Sequence, residues 1–310
     1  MSGEPRRRKN SPLKKIVTFS IIVLFMGVLV WYSPRFLSPK ILSREELVNY
    51  ALSLINSDRQ SKGLQNVTLS GVDSGQRHAD EMLMYHFLSH WDTNGFKPYM
   101  RYTLEGGKGA VSENCAQFYE SGGLDPSRAL RELEHDMVYD DASSNWGHRD
   151  NILDAFHNKV SIGIAYDKHD LYFVEDFEDD YISWSTLHLS AEVRLQGTIL
   201  GAGLSISQLE IYFDKPTSLT SQQLSNPAYQ DGSEHGSYVG MVVSSPPSGY
   251  QYEQPGRGVT ITANTWNQTG QNFEITFDMS SAFAQCGKGV YTLYLWTDSD
   301  EYLTSLSIWN

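Results

Sequence analysis

The sequence predicts a mixed α+β domain followed by an all-β domain, both behind an apolar segment near the N-terminus. Between residues 43 and 140, apolar residues recur at helical spacing in three segments, and two alternating apolar segments follow them. Beyond about residue 189 the helical spacing disappears, and short alternating runs are separated by turn-forming residues. Residues 16–32 contain no charged side chain.

Charge and cysteine content exclude two classes of protein. The 310 residues carry a formal net charge of -13, but residues 1–40 alone carry +7, so the remaining 270 residues carry -20. A body this acidic repels phosphate backbones, which excludes nucleic acid as a partner. Two cysteines, Cys115 and Cys286, are too few for a scaffold built on disulfides, although the sequence leaves open a single bridge between them.

The N-terminal residues predict a single membrane anchor. Residues 16–32 form an uncharged run of 17 residues, which is the short end of what spans a bilayer. Six lysines and arginines precede it, so residues 1–15 are expected in the cytoplasm and the remainder of the chain outside. Residues 33–42 then form a stiff linker with two prolines. A cleaved signal peptide is the alternative, although no small-x-small cleavage site follows the run.

The first predicted helix begins at a capping box. Ser43 and Glu46 have the three-residue spacing of that motif, and the helix is expected to continue to about Lys62. A second helix is expected over Ser74–Phe87, with His78 near its apolar face as a structural residue. Residues 98–109 then read as a loop, because they contain Pro98 and a Gly-Gly pair.

The elements that follow predict helices packed on a small antiparallel sheet. Residues 112–118 read as a strand, and Asp125-Pro126 opens a third helix with an N-cap and a first-turn proline. A short helix is expected over residues 149–156. Two strands at residues 161–166 and 171–177, joined by a turn, complete an α+β arrangement.

Three separate stretches of this domain offer polar side chains suited to a binding site: His90, Glu113 and His148. An acid on the third helix is a fourth candidate, either Glu134 or Glu132. Two imidazoles suit zinc or copper, with a carboxylate completing or supporting the site. A glutamate could instead serve as a general base. The alternative from the residues alone is that these groups only satisfy buried hydrogen bonds.

Four motifs in one order resemble the CAP superfamily, the group of cysteine-rich secretory proteins, antigen 5 and plant pathogenesis-related proteins, also called SCP domains. The closest resemblance is to the microbial branch. The motifs are His90-Trp-Asp-Thr-Asn-Gly95 with Pro98 and Arg101, Ser112-Glu-Asn-Cys-Ala116, Trp146-Gly-His-Arg-Asp-Asn-Ile-Leu153 and Ile162-Gly-Ile164.

The resemblance implies an α-β-α sandwich over residues 43–183, with a central cleft lined by two histidines and two glutamates. In this sequence the histidines that can hold zinc correspond to His90 and His148. The glutamates correspond to Glu113 and Glu134, with Glu132 as the alternate for the second. The chain departs from animal members in lacking their disulfides, and Cys115 stands where the microbial pattern has an aliphatic residue. A small buried role is expected for this cysteine.

Residues 189–310 predict an immunoglobulin-like β-sandwich, because about seven short strands with turns between them are typical of that architecture. The Cys-Trp-Cys signature of true immunoglobulin domains is missing from the sequence. The expected strands are 191–199, 207–213, 238–243, 259–265, 273–277, 290–296 and 303–309.

Three functions fit the sequence. The first is a membrane-anchored extracytoplasmic binding protein whose cleft takes a divalent metal, a small ligand, a lipid or an envelope component. The second is a zinc-dependent hydrolase acting on peptide or cell-envelope material, with Glu113 or Glu134 as general base. The third is a structural envelope protein with a vestigial cleft. The first is favoured because no activated nucleophile stands beside the cleft residues, which also favours a protein that is not an enzyme.

Overall fold

The computed structural model describes most of the chain beyond the N-terminal region. Residues 1–41, which include the predicted tail and membrane anchor and nearly all of the linker, lie outside the described residues. None of the helices in the described part of the chain has the length and apolarity that a bilayer span requires. The described residues are 42–201, 203–229, 235–246, 248–249, 258–299 and 301–310.

The first domain consists of a four-stranded sheet and five α-helices. The strand order is β1-β3-β4-β2, with β1 parallel to β3 and the other pairs antiparallel, so β2 is an edge strand. Its elements are α1 Arg44–Ser61, β1 Thr68–Leu69, α2 Ser74–Tyr85, α3 Pro98–Leu104, β2 Ala110–Tyr119, α4 Pro126–Tyr139, α5 Gly147–Ile152, β3 Lys159–Tyr166 and β4 Asp170–Asp179.

Side-chain caps fix the starts of the two longest helices, as the sequence predicted. The Ser43 hydroxyl accepts from the backbone of Glu46, whose carboxylate accepts in return from the Ser43 backbone, which completes the capping box of α1. The Asp125 carboxylate accepts two backbone N–H groups in the first turn of α4. Both caps satisfy N–H groups that the helices cannot bond internally.

Helices cover both faces of this sheet. Neighbouring residues of a strand point to opposite faces, and on β4 these are Glu175 and Asp176. Glu175 lies against Glu134 of α4, whereas Asp176 accepts a hydrogen bond from the Ser74 hydroxyl of α2. The first domain is therefore a three-layer α-β-α arrangement, with α2 on one face and α4 on the other.

Two expectations for this domain were wrong. Residues 98–104, predicted as a loop, form helix α3 with Pro98 in its first turn. Residues 98–102 are all buried, so the segment has no polar face that would reveal helical spacing. The short helix expected at 149–156 begins earlier and ends earlier, at Gly147–Ile152, because Asn145 and Trp146 adopt positive φ and turn the chain just before it.

The second domain is a β-sandwich. One sheet has the order β10-β11-β6-β5 and the other β13-β12-β7-β8-β9, and their facing aliphatic and aromatic side chains form one core. Its elements are β5 Ile182–His188, β6 Glu192–Ile199, β7 Ile206–Asp214, α6 Ser221–Leu224, β8 Ser237–Val243, β9 Val259–Thr262, β10 Thr265–Thr269, β11 Asn272–Asp278, α7 Ser280–Cys286, β12 Val290–Thr297 and β13 Tyr302–Trp309.

The sandwich contains strands that the sequence did not predict. Strand β5 precedes residue 189, and only two of its seven residues are non-polar at alternating core positions, Ile182 and Leu187, so its pattern is weak. The strand predicted at 259–265 ends at Thr262, and residues 265–269 form the separate strand β10. Helix α7 was not predicted either.

The first domain covers the edge strand β13 of the sandwich. The Thr103 hydroxyl donates to the Ser305 carbonyl at 3.2 Å and accepts from the Ser307 N–H at 3.1 Å. The Ser305 N–H donates to the Gly109 carbonyl at 3.1 Å. These bonds satisfy backbone groups that an edge strand otherwise leaves open.

A segment between β7 and β8, residues 215–229, returns to the first domain and is called the β7–β8 segment here. Its Leu224 is fully buried in the core of the first domain beside α2. The Tyr229 carbonyl accepts from the Ser89 hydroxyl at 2.8 Å. Gly95 has φ +77°, and a Cβ on it would lie 2.5 Å from the Thr217 carbonyl oxygen, so the close approach of this segment requires glycine there.

Candidate functional site

A cleft of about 750 Å³ lies beside edge strand β2 of the first domain. Most of its lining is polar, and Leu88, Cys115 and Pro227 are its apolar residues. Pro227 belongs to the β7–β8 segment, so both domains contribute to the wall. The lining residues are Leu88, Ser89, His90, Ser112, Glu113, Asn114, Cys115, Ser143, Ser144, Asn145, Gly147, His148, Asn151 and Pro227.

His90 is held in the cleft by a buried carboxylate. Its Nδ1 lies 3.0 Å from Oε1 of Glu113, and its carbonyl accepts from Arg101 at 2.8 Å. The second oxygen of Glu113 accepts from the Arg101 guanidinium at 2.5 Å. Burial acts to raise the pKa of Glu113, but the Arg101 charge and the nearby imidazoles outweigh it and hold this pKa below its usual range.

His148 is held by a second carboxylate, Asp141, which the sequence did not identify. Its Nδ1 lies 2.7 Å from Asp141 Oδ1, while Oδ2 accepts from the backbone N–H groups of His148 and Arg149 at 2.9 and 3.2 Å. The turn at Asn145 and Trp146 brings the start of α5 over this carboxylate. Asp141 therefore caps α5 and orients its histidine at the same time.

Glu134 lies beneath the cleft and is not one of its lining residues. It is 2% exposed and faces Glu175, which is fully buried. Burial and the neighbouring carboxylate raise the pKa of Glu134 well above its usual range, and burial raises that of Glu175 to about 7. Glu175 Oε2 accepts from Asn114 Nδ2 at 3.1 Å. The same amide group of Asn114 donates to the His148 carbonyl at 3.2 Å, so the acid pair supports the cleft floor.

The alternate acid, Glu132, lies on the outer side of α4. Its side chain is 43% exposed and forms an i,i+4 ion pair with Arg128 at 3.2 Å. Of the predicted site residues, the structure thus brings His90, Glu113 and His148 into one cleft, places Glu134 behind it and leaves Glu132 at the surface.

The second face of β2 carries a buried group behind His90. A ring nitrogen of His78, the Cys115 sulfur and a Glu113 oxygen all lie within 4.8 Å of one another. Burial raises the pKa of the Cys115 thiol well above its usual range and lowers that of His78 to about 3. Cys115 is therefore a protonated thiol rather than a reactive thiolate. Cys115 and Cys286 are both free.

The two cleft histidines suit a metal ion. A metal-binding histidine commonly donates its second ring nitrogen to a carboxylate, which fixes the tautomer and the ring orientation. Both histidines have this support at Nδ1, from Glu113 and Asp141. Their Nε2 atoms are therefore the nitrogens available as ligands, and other coordination positions would remain open to a ligand from solution.

Comparisons with known proteins place the first domain among described families. Residues 52–177 match the family model described as CAP, cysteine-rich secretory protein family. No curated protein has a significant match to the chain.

Seven chains of solved structure match, and two have informative titles. One is the CAP domain of enterococcal PrgA, at 15% identity and a TM-score of 0.32, covering 44% of this chain and 63% of that chain. The other is an extracellular protein containing an SCP domain from Bacillus anthracis strain Ames, at 19% identity and a TM-score of 0.34. That match covers 44% of each chain, so the matches span less than two thirds of either relative.

Proposed function

Since the chain is a CAP superfamily member through residues 52–177, we propose that its cleft binds a divalent metal ion through His90 and His148. The observation that carries this proposal is the buried carboxylate at Nδ1 of each histidine. Two independent dyads on different elements, aimed into one cleft, are what a metal site needs to hold its ligands in place. Zinc suits imidazole ligands and, when bound, polarises an oxygen atom of a ligand as a Lewis acid.

We propose that the cleft binds a small polar ligand next to this metal. Serine hydroxyls and asparagine amides dominate the lining, and these groups recognise polar molecules by hydrogen bonding. A lipid chain would require a largely apolar lining. The cleft therefore favours a polar component of the cell envelope over a lipid.

The arrangement favours binding over hydrolysis. Both oxygens of Glu113 are engaged, one by His90 and the other by Arg101, and its lowered pKa makes it a weak base. Glu134 lies behind the cleft, outside its lining. The hydrolase alternative would thus need a base other than the two that the sequence suggests.

Calorimetric titration of the full chain with zinc tests the proposed site. His90→Ala and His148→Ala should each weaken binding, and the double variant should abolish it. His135→Ala is the matched control, because this histidine is 66% exposed on the surface of α4 and should bind zinc as the wild type does. Undiminished binding by the double variant would refute the assignment.

We also propose that residues 16–32 anchor the protein in the membrane, with both domains outside the cytoplasm. Six basic residues before the uncharged run support this orientation. Protease added to intact cells should then remove both domains while leaving residues 1–15 protected. Full protection of the domains would contradict this topology.

The second domain is proposed to be immunoglobulin-like. Its strand orders, β5-β6-β11-β10 and β13-β12-β7-β8-β9, correspond to the ABED and GFCC′C″ sheets of a variable-type domain. The parallel pairing of β8 with β9 is a departure from the usual antiparallel arrangement.

A further inference from the structure

A second group of donors, separate from the cleft histidines, lies buried between α2 and β2. It consists of His78, Glu113 and Cys115, which are 0%, 8% and 7% exposed. Glu113 and Cys115 are two residues apart on a strand and so share a face, and α2 packs His78 against that face. One donor atom from each residue lies within 4.8 Å of the other two.

His78 has one ring nitrogen free. Its Nε2 lies 2.7 Å from the Ser89 carbonyl oxygen, which can only accept, so Nε2 carries the proton. Nδ1 is then an acceptor, and it is buried without a partner among the described residues. A carbonyl that fixes the proton on one nitrogen and exposes the other is also how proteins orient a histidine towards a metal.

The Cys115 thiol cannot satisfy its surroundings alone. It has one proton, while both the Nδ1 atom of His78 and the Glu113 carboxylate are acceptors next to it. Glu113 already accepts from Arg101 and His90. Whichever acceptor the thiol serves, the other loses its donor, and burying an unpaired polar atom is unfavourable.

We propose that His78 Nδ1 and Cys115 Sγ bind one Cu(I) ion, with Glu113 beside it. The ion takes the place of the thiol proton: Sγ loses H⁺ to solvent and forms a bond to copper, while the Nδ1 lone pair forms the second bond. No electron is transferred. Soft thiolate ligands select Cu(I), and the cleft, which Cys115 and Glu113 line, gives the ion its route of entry and the proton its exit.

Charge favours a monovalent ion over a divalent one. Without metal the buried group holds the Arg101 cation and the Glu113 carboxylate, while the Cys115 thiol and the His78 imidazole are uncharged. Asp176, which also faces Glu113, is held in its neutral form by burial and by that carboxylate. Exchange of a proton for Cu(I) leaves this balance unchanged. Zinc would add one uncompensated positive charge next to Arg101, which is unfavourable in a buried site.

The spacing is also suitable. Metal bonds of about 2.3 Å to sulfur and about 2.0 Å to nitrogen place two opposed ligand atoms about 4.3 Å apart. The donor atoms here lie within 4.8 Å of one another, so small side-chain adjustments are enough.

Anaerobic titration of the reduced full chain with Cu(I), against a chromophoric Cu(I) chelator, tests this proposal. The wild type should take up one equivalent that Cys115→Ser binds at least about tenfold more weakly. Cys286→Ser is the matched control, since the second free cysteine lies in the other domain, and it should bind as the wild type does. The His90→Ala/His148→Ala variant, which tests the cleft zinc site, should keep its Cu(I) equivalent.

A second measurement does not depend on any variant folding. Cu(I) should protect Cys115 of the wild-type protein from alkylation during partial unfolding in urea, while Cys286 reacts at an unchanged rate, as followed by mass spectrometry. Absence of a Cu(I) equivalent, equal binding by Cys115→Ser, or equal alkylation of Cys115 with and without Cu(I) would each overturn the proposal. Zinc binding with the same dependence on Cys115 would overturn the choice of a monovalent ion.

Discussion

Replacement of Glu175 by glutamine is expected to change how stability depends on pH. Burial raises the pKa of this carboxyl from 4.5 to about 7, so between those values the folded protein holds a proton that the unfolded chain has released. The stability that this proton contributes is complete below pH 4.5, falls as the pH rises towards 7, and is lost above about pH 7.

The magnitude follows from the shift. One pKa unit corresponds to about 1.4 kcal/mol, so the rise corresponds to on the order of 3 kcal/mol of unfolding free energy. Glutamine cannot ionise, and its carbonyl can still accept from Asn114 Nδ2, which lies 3.1 Å from Glu175 Oε2. Glu175→Gln should therefore match the wild type at low pH and exceed it by up to this amount under alkaline conditions.

Urea unfolding of the full chain at about pH 5, 6, 7 and 8 measures this difference. Glu132→Gln is the matched control, because its side chain is 43% exposed and should leave the wild-type pH dependence intact. If Glu175→Gln lost as much stability as the wild type between pH 5 and pH 8, the acid pair would not be the titrating group.

Three further substitutions test other contacts. Asp141→Asn should weaken zinc binding about 10- to 100-fold in calorimetry, because an amide offers one acceptor where the carboxylate offers two; an effect no larger than that of the exposed neighbour Asp140→Asn would contradict this. Arg101→Met leaves a buried carboxylate without its cation and should lower the free energy of unfolding by about 3–5 kcal/mol. The solvent-exposed Arg77→Met should cost less than about 1 kcal/mol, and equal losses in urea would refute the distinction. Thr103→Val removes the hydroxyl that bonds two backbone groups of β13 and should cost about 1–3 kcal/mol; an unchanged unfolding midpoint is the contrary result.

Several site residues could be predicted because their motifs are local. His90, Glu113 and His148 each stand in a short pattern of the family, and the order of those patterns also predicts the CAP domain. Asp141 has no such pattern. It follows another aspartate in an acidic turn, and only the positive φ at Asn145 and Trp146 folds the chain back over it.

The choice between Glu132 and Glu134 was open in the sequence but contained a usable signal. Glu134 is four residues after Leu130 and four before Val138, so it shares the apolar stripe of α4. All three are buried, whereas Glu132 is off that stripe. Its partner Glu175 could not be found in this way, because it lies in a strand with several other acids and pairs only through tertiary packing.

The β7–β8 segment has a thermodynamic consequence for the molecule as a whole. It fills the core of the first domain with Leu224 and the cleft wall with Pro227, so a ligand that touches Pro227 binds both domains at once. Ligand affinity and docking of the domains are then linked, and by reciprocity each strengthens the other to the same extent. Occupancy of the cleft would thus be reported to the sandwich as a change in how firmly it is held, without any movement of the catalytic or binding side chains themselves.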